Sequence, residues 1–265
     1  MRFDNIRLFS TDLDGTLLGD PAAAERFSLA WAALEPRRRP LLVYNTGRTV
    51  ADTRALVAER TLPEPDYIIG SIGTELHDSL YNCAEEFRRQ FNVGWDRARV
   101  DEIVGAFSGV KRQPPVYSHA YKSSWFWVRA RREEVTQLQS QLAAAGLHAQ
   151  VIYSCRYFLD VVPARAGKGP ALAWLCQRLH IRFANVLVAG DTGNDSGMFQ
   201  LHGVKGIVVQ NALPELMAGL PDAAVFVART TMADGVLEGL RHFGVLDDGD
   251  SRAAPPSPAR AAGRI

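Results

Sequence analysis

Net charge is what this 265-residue chain most plainly lacks. Its 30 Lys and Arg residues stand against 29 Asp and Glu, leaving +1. A chain so balanced has no basic footprint for nucleic acid, and no nucleic-acid partner is expected. Long apolar runs are also missing near the amino terminus, where MRFDNIRLFS is interrupted by Arg2, Asp4 and Arg7. That stretch is too short and too charged for a signal peptide or a membrane span, so a cytoplasmic protein with no membrane partner is expected. Cysteine is scarce. Cys83, Cys155 and Cys176 are odd in number and lack metal-ligand spacing, so they are expected to be reduced and structural. There is no internal repeat, and PRRRP at 36–40 is expected to be a solvated loop.

What is present is a globular composition, 47% hydrophobic and 22% charged. The length suits one larger domain with a substantial insertion, or two unequal domains. Four apolar runs end abruptly at glycine or polar residues: IRLFS before Asp12, LLVYN before Thr46, YIIG before Ser71 and NVLVAG before Asp191. Buried parallel strands emerge in this way at their carboxyl ends, the edge of an open sheet where ligands bind. Helical stretches alternate with them, namely AAAERFSLAWAAL, TVADTRALVAER and GPALAWLCQRL with Pro170 near its first turn. VKGIVVQNALPELM and AAVFVARTTMADGVLEGLRHF each read as a strand followed by a helix that extend the same sheet. The expected fold is α/β, a doubly wound, Rossmann-like parallel-sheet core with an inserted α+β cap domain.

The insertion breaks the rhythm between about 81 and 160. A helix is expected around Glu85 to Phe107, then a strand-like QPPVYSHAYKSSWFWVRA, the helix REEVTQLQSQLAAAG, and two short strands in HAQVIYSCRYFLDVV. The expected division is a core of 1–80 and 161–246, a cap of 81–160, and a disordered tail of 247–265 poor in large apolar side chains. Insertions over the catalytic edge of a sheet act as lids.

In STDLDGTLLGD, strand period sends Asp12 and Asp14 the same way, toward one point above the sheet. Two unit charges 4 Å apart repel by about 1 kcal/mol in water and about 4 at an effective dielectric of 20, so the pair asks for a cation. An oxygen-only site suits Mg2+, which takes one or two carboxylates and keeps waters. VAGDTGNDSGMF offers further carboxylates, Asp191 at a strand end and Asp195 where a helix begins. An EF-hand is excluded, because Gly193 and His202 stand at the third and twelfth positions counted from Asp191. YNTGRT presents Thr46 at another strand end, Gly47 for close backbone approach, and a helix start that can donate amides to an anion. RAGKGPAL imitates a nucleotide loop without being one, since Val162 and Gly169 hold the first-glycine and Ser/Thr places. Its Lys168 serves better as a point charge for phosphate.

Together DLDGT, NTGR, Lys168 and GDTGND resemble the haloacid dehalogenase superfamily of phosphohydrolases, in the class whose large α/β cap lies between the second and third motifs. More narrowly, GSIGTEL, YKSSWF, YFLDVVP, GKGPALAWL, VLVAGDTGNDSGMF and NALPEL are similar to the sucrose-phosphatase family, from Arg7 to Phe243. Within it, STDLDGTLLGD, KSSWF, ALAWLC and ADGVLEGLRH are most similar to the branch acting on mannosylfructose phosphate. The resemblance implies a magnesium-dependent phosphatase for mannosylfructose phosphate or sucrose 6-phosphate. A general sugar-phosphate phosphatase or a phosphomutase of the same superfamily is the alternative. It implies that Asp12 is the nucleophile and Asp14 the general acid and base. Thr46 and Lys168 would stabilise charge on the phosphoryl group. The metal would sit among Asp12, the Asp14 carbonyl and Asp191, with Asp195 a ligand or a support for one. Gly47, Arg48, Lys122 and Asn194 are the expected substrate-binding residues, Lys122 facing the sugar. His119 stays ambiguous, and Trp125 and Trp127 share one strand face that either meets sugar or packs the cap core. A sugar phosphate is the expected small-molecule partner, with functional pairing to a glycosyltransferase.

Overall fold

Leu8–Thr11, buried along its whole length, is the first strand, and alternation sends Leu8 into one apolar cluster and Phe9 into another. A strand with two buried faces must lie inside a three-layer sandwich. The computed structural model describes residues 6–78, 83–91, 93–221 and 224–247, so the chain beyond Asp247 in the expected tail, and residues 81 and 82 where the cap was expected to begin, lie outside the described residues.

The chain opens with β1 (Leu8–Thr11), α1 (Pro21–Ala33), β2 (Leu41–Asn45), α2 (Val50–Ala58), β3 (Tyr67–Gly70) and β4 (Glu75–Asp78). It continues through α3 (Ala84–Arg89), α4 (Arg97–Gly105), β5 (Val110–Arg112), β6 (Ser123–Trp127), α5 (Arg132–Ala144), β7 (Ala149–Ser154) and β8 (Phe158–Pro163). It closes with α6 (Lys168–Arg178), β9 (Val186–Gly190), α7 (Ser196–Phe199), β10 (Lys205–Val208), α8 (Pro214–Met217), β11 (Val225–Val227) and α9 (Met232–His242).

The large sheet runs β11-β10-β9-β1-β2-β3-β4 and the small one β5-β6-β8-β7. β1 pairs in parallel with β2 and β9, so residues 12, 46 and 191 leave the sheet at one edge. One face is covered by Phe27 and Trp31 of α1 with Val236 and Leu240 of α9, the other by Leu172 and Leu175 of α6 with Phe87 of α3. Asp20 caps α1 by accepting from the amides of Ala22 and Ala23 at 2.9 and 3.2 Å, with Pro21 at the first helical position. The doubly wound core and the inserted α+β cap are as expected. β4 is an addition, an antiparallel edge strand that pairs with β3.

In the cap, one sheet face is packed by Val100 and Val104 of α4 and Leu138 and Leu142 of α5. The single helix expected from Glu85 to Phe107 is two. Asp96 starts the second by accepting from Arg99 N–H at 3.1 Å, and the Gly94 carbonyl is drawn away to His148 N–H at 2.6 Å. The first, α3, packs with the large sheet's cluster, and β8 runs to Pro163. The strand expected through QPPVYSHAYKSSWFWVRA is confined to β6, because Pro115–Tyr117 form a 3-10 turn. All three cysteines are free. Cys83 and Cys176 are buried, whereas Cys155 is exposed in the β7–β8 turn. Among the described residues no helix is long and apolar enough to cross a membrane.

Candidate active site

The chain turns sharply after β1, and the turn separates the two aspartates. Asp12, 4% exposed, is held over the sheet edge by its N–H bond to the Ala189 carbonyl at 3.0 Å. Asp14 stands outward and receives a bidentate pair from Arg48, Nε to Oδ2 at 2.7 Å and Nη2 to Oδ1 at 2.6 Å. Both line one cleft in different surroundings. Gly15 makes the turn feasible, since its φ is +83° and a Cβ there would stand 2.3 Å from Asp191 Oδ2. Asn211, which the sequence reading quoted only within NALPEL, donates from Nδ2 to the Gly15 carbonyl at 2.8 Å and pins the loop.

Beneath the cleft, Lys168 at the first turn of α6 is 2% exposed. Its Nζ donates to Asp12 Oδ1 at 2.7 Å and Asp195 Oδ1 at 2.6 Å. Gly169 lets the helix approach that closely, for a Cβ there would meet the Gly197 carbonyl oxygen at 2.2 Å. The other oxygen of Asp195 accepts from the N–H groups of Asp191 and Thr192, each at 3.1 Å. Asp191 accepts from Thr16 Oγ1 at 3.1 Å, a partner the sequence reading missed. Asp12, Asp191 and Asp195 each offer a carboxylate oxygen within 4.8 Å of the others. Three buried carboxylates around one ammonium leave negative charge in excess. Burial raises the Asp12 pKa well above its usual value despite Lys168, and pushes Asp191 up to about 6 with help from Asp195. Burial alone would lower Lys168, but Asp12 and Asp195 outweigh it and hold its pKa above the usual lysine range. This donor set fits a hard divalent cation.

Thr46 is fully buried at the end of β2, its N–H bonded to the Ile69 carbonyl at 2.9 Å and its Oγ1 accepting from Arg48 N–H at 3.2 Å. Gly47, Arg48 and Asn194 line the cleft, Asn194 Oδ1 accepting from Thr192 Oγ1 at 3.0 Å. The cleft is about 630 Å³, and its opposite wall is the open face of the cap sheet. Lys122, 4% exposed, lies there with Nζ 3.4 Å from Asp160 Oδ1, and Ser124 Oγ donates to the same oxygen at 2.6 Å.

Strand alternation decides the tryptophans. Trp125 and Trp127, 5% and 3% exposed, belong to the cap core, and the Arg112 guanidinium lies 4.2 Å over the Trp125 ring. The opposite phase of β6 and β8 brings Phe126 and Phe158 to the cleft, with Tyr117, Gln113 and Asp160 beside them. The sequence reading missed these five. The period-2 pattern of SSWFW held the signal for Phe126, once Trp125 was assigned to the core. His119 faces the core rather than the cleft, its Nε2 3.0 Å from Thr74 Oγ1.

A doubly wound sheet with buried aspartates at its carboxyl edge, a lysine between them and a cap over the cleft is a phosphohydrolase of the haloacid dehalogenase type. Comparison with known proteins narrows the class. The chain belongs to the sucrose-6F-phosphate phosphohydrolase family, which it matches over residues 5–244. It is 43% identical over 242 residues to mannosylfructose-phosphate phosphatase of Agrobacterium fabrum, covering 91% of this chain and 98% of that one. Sucrose-phosphatase 1 of Nicotiana tabacum is 32% identical over 247 residues, 88% of this chain and 58% of the relative, so the chain spans little more than half of that longer protein. The structure of sucrose-phosphatase from Synechocystis sp., in complex with sucrose and phosphate, superposes with a TM-score of 0.82 at 31% identity over 90% of this chain and 98% of that one.

Proposed function

We propose that the chain hydrolyses a phosphorylated disaccharide, mannosylfructose phosphate before sucrose 6-phosphate, through an aspartyl-phosphate on Asp12. One observation carries this reading. A single cleft of about 630 Å³ has a carboxylate–ammonium cluster at its floor and a buried, polar cap pair, Lys122 and Asp160, across from it. That volume suits a small-molecule site of about 300–1,000 Å³, and 43% identity over nearly the whole Agrobacterium relative supports the choice of sugar.

An Asp12 carboxylate oxygen attacks phosphorus, the P–O bond to the sugar breaks, and Asp14 gives the leaving oxygen its proton. Water then attacks phosphorus, Asp14 takes the water's proton, and the bond to Asp12 breaks to free phosphate. Arg48 must release Asp14 for either transfer, because a carboxylate in a bidentate pair has both oxygens engaged. Lys168 keeps the Asp12 carboxylate oriented and offsets negative charge on the phosphoryl group. Thr46 Oγ1 accepts from Arg48 N–H, which leaves its own proton for a phosphoryl oxygen. Mg2+, when bound, would neutralise the excess carboxylate charge and that of the phosphate. Asp12, Asp191 and the Asp14 carbonyl would hold it. Asp195 supports the site instead, since its oxygens already serve Lys168 and two amides. The core thus carries the phosphoryl chemistry, and the cap sheet, through Lys122, Phe126, Phe158 and Asp160, reads the sugar.

Phosphate release from mannosylfructose phosphate, sucrose 6-phosphate, trehalose 6-phosphate, fructose 6-phosphate and mannose 6-phosphate tests the reading. Binding of the remote sugar should favour one disaccharide phosphate over its monosaccharide half in kcat/KM. Equal rates on all five compounds would reduce the protein to a general sugar-phosphate phosphatase.

A further inference from the structure

Lys122 sits in a two-residue hairpin whose ends, His119 and Lys122, exchange both backbone hydrogen bonds at 3.2 and 3.1 Å. A hairpin this short is only marginally stable by itself, so its position must be imposed from outside. One side chain reaches both ends. Arg97, at the start of α4, donates from Nη1 to the His119 carbonyl and to the Lys122 carbonyl, the latter at 2.6 Å. The same guanidinium is aimed by Asp101 one helical turn on, Nε to Oδ1 at 2.9 Å. Asp101 also accepts from Ser123 Oγ at 2.5 Å, and from Arg112 Nη1 at 2.8 Å. Ser123 directly follows Lys122, so the lysine is held on both sides by one helix. On its other flank the hairpin meets the core. Thr74 Oγ1 gives its proton to the Ser71 carbonyl at 2.8 Å, so His119 Nε2–H is the donor across their 3.0 Å contact.

We propose that Arg97, aligned by Asp101, is the positioning residue that fixes the Lys122 ammonium in the cleft and thereby sets preference for a disaccharide over a monosaccharide phosphate. The proposal rests on the reading that Lys122 meets the sugar remote from phosphate. A lysine side chain has many rotamers open to it, so its usefulness as a contact depends on how firmly its backbone and exit direction are set. Lysine at position 97 would not replace the arginine. Bridging a carboxylate and two carbonyls needs donors spread over a planar fork, and an ammonium is a point.

The test compares wild type with R97K, K122A and R97K/K122A, on mannosylfructose phosphate and fructose 6-phosphate, with thermal unfolding of each variant. R97K should lower the disaccharide-to-monosaccharide ratio of kcat/KM threefold to tenfold, chiefly through KM, the size of about one lost hydrogen bond. The double variant should fall no further than K122A alone, because both changes remove one contact. Should R97K fold poorly, D101N serves in its place with the same direction of effect. If K122A shifts the ratio and the Arg97 or Asp101 variant does not, or if the losses multiply, the positioning role is overturned while the sugar reading stands. If K122A itself leaves the ratio at the wild-type value, both are overturned.

Discussion

Lys168 is shared between two carboxylates, and this sharing sets what substitution at the floor of the site does. Asp12→Asn keeps shape and one hydrogen-bond acceptor for Lys168, yet an amide oxygen is a poor nucleophile. Phosphate release should fall to background while thermal unfolding stays cooperative; turnover above a small fraction of wild type would remove Asp12 from the nucleophile's place. Asp14 differs because it is exposed and paired with Arg48 outside the buried cluster. If it contributes an ordinary acid–base factor of ~10² to 10⁴, Asp14→Asn should raise the barrier by about 3 to 5 kcal/mol. Steady-state kinetics on the preferred sugar phosphate reads this, and an unchanged kcat would assign the proton transfer elsewhere.

β6 is the element on which structure and specificity divide, because its two faces meet different solvents. Trp125 and Trp127 face the helices α4 and α5 in a dry core, whereas Phe126 looks into the cleft. Trp125→Ala should therefore cost about 3 to 5 kcal/mol of stability, the usual cost of emptying a large buried site. Phe126→Ala should cost far less stability and appear instead as a higher KM for the disaccharide phosphate. Chemical denaturation and kinetics of the two variants, measured side by side, should give these opposite patterns; comparable losses of stability would mean that Phe126 is a core residue too.

At the scale of the whole molecule, the ends of β1 and β9, far apart in the chain, bring like charge together, so folding and cation binding are coupled. Asp191 is pushed up to about 6 by burial first and Asp195 second. A carboxylate whose folded pKa lies above its unfolded value favours the folded state at low pH, and that contribution is lost as pH rises through the folded pKa. The metal-free protein should thus lose stability from this group between about pH 4 and 7. Magnesium competes with the proton for the same oxygens, so its stabilising shift in Tm should be larger at pH 7.5 than at pH 5. Thermal unfolding with and without magnesium at the two pH values measures this. Chelation should also silence turnover and magnesium restore it, and Asp191→Asn should raise the concentration required. Full activity in excess chelator would contradict the role given to the carboxylates.

Sequence alone determined what depends on neighbours along the chain. Apolar runs that stop at Asp12, Thr46 and Asp191 mark buried parallel strands and their catalytic edge, because strand burial and termination are written within a few residues. The resemblance of DLDGT, NTGR, Lys168 and GDTGND then named the residues that meet there. Only the tertiary structure decided what depends on register and on which layer covers which face. Lys168 and Asp12 are 156 positions apart in the chain, and nothing local says that one ammonium spans Asp12 and Asp195. Asp14 turns out to Arg48 because the chain leaves the strand at Thr11, which period-2 reasoning carried past its end does not foresee. The tryptophans of SSWFW became core, and Phe126 wall, because α4 and α5 cover one face of the cap sheet and leave the other open to the cleft. A strand's alternation names two faces, and only packing says which of them is wet.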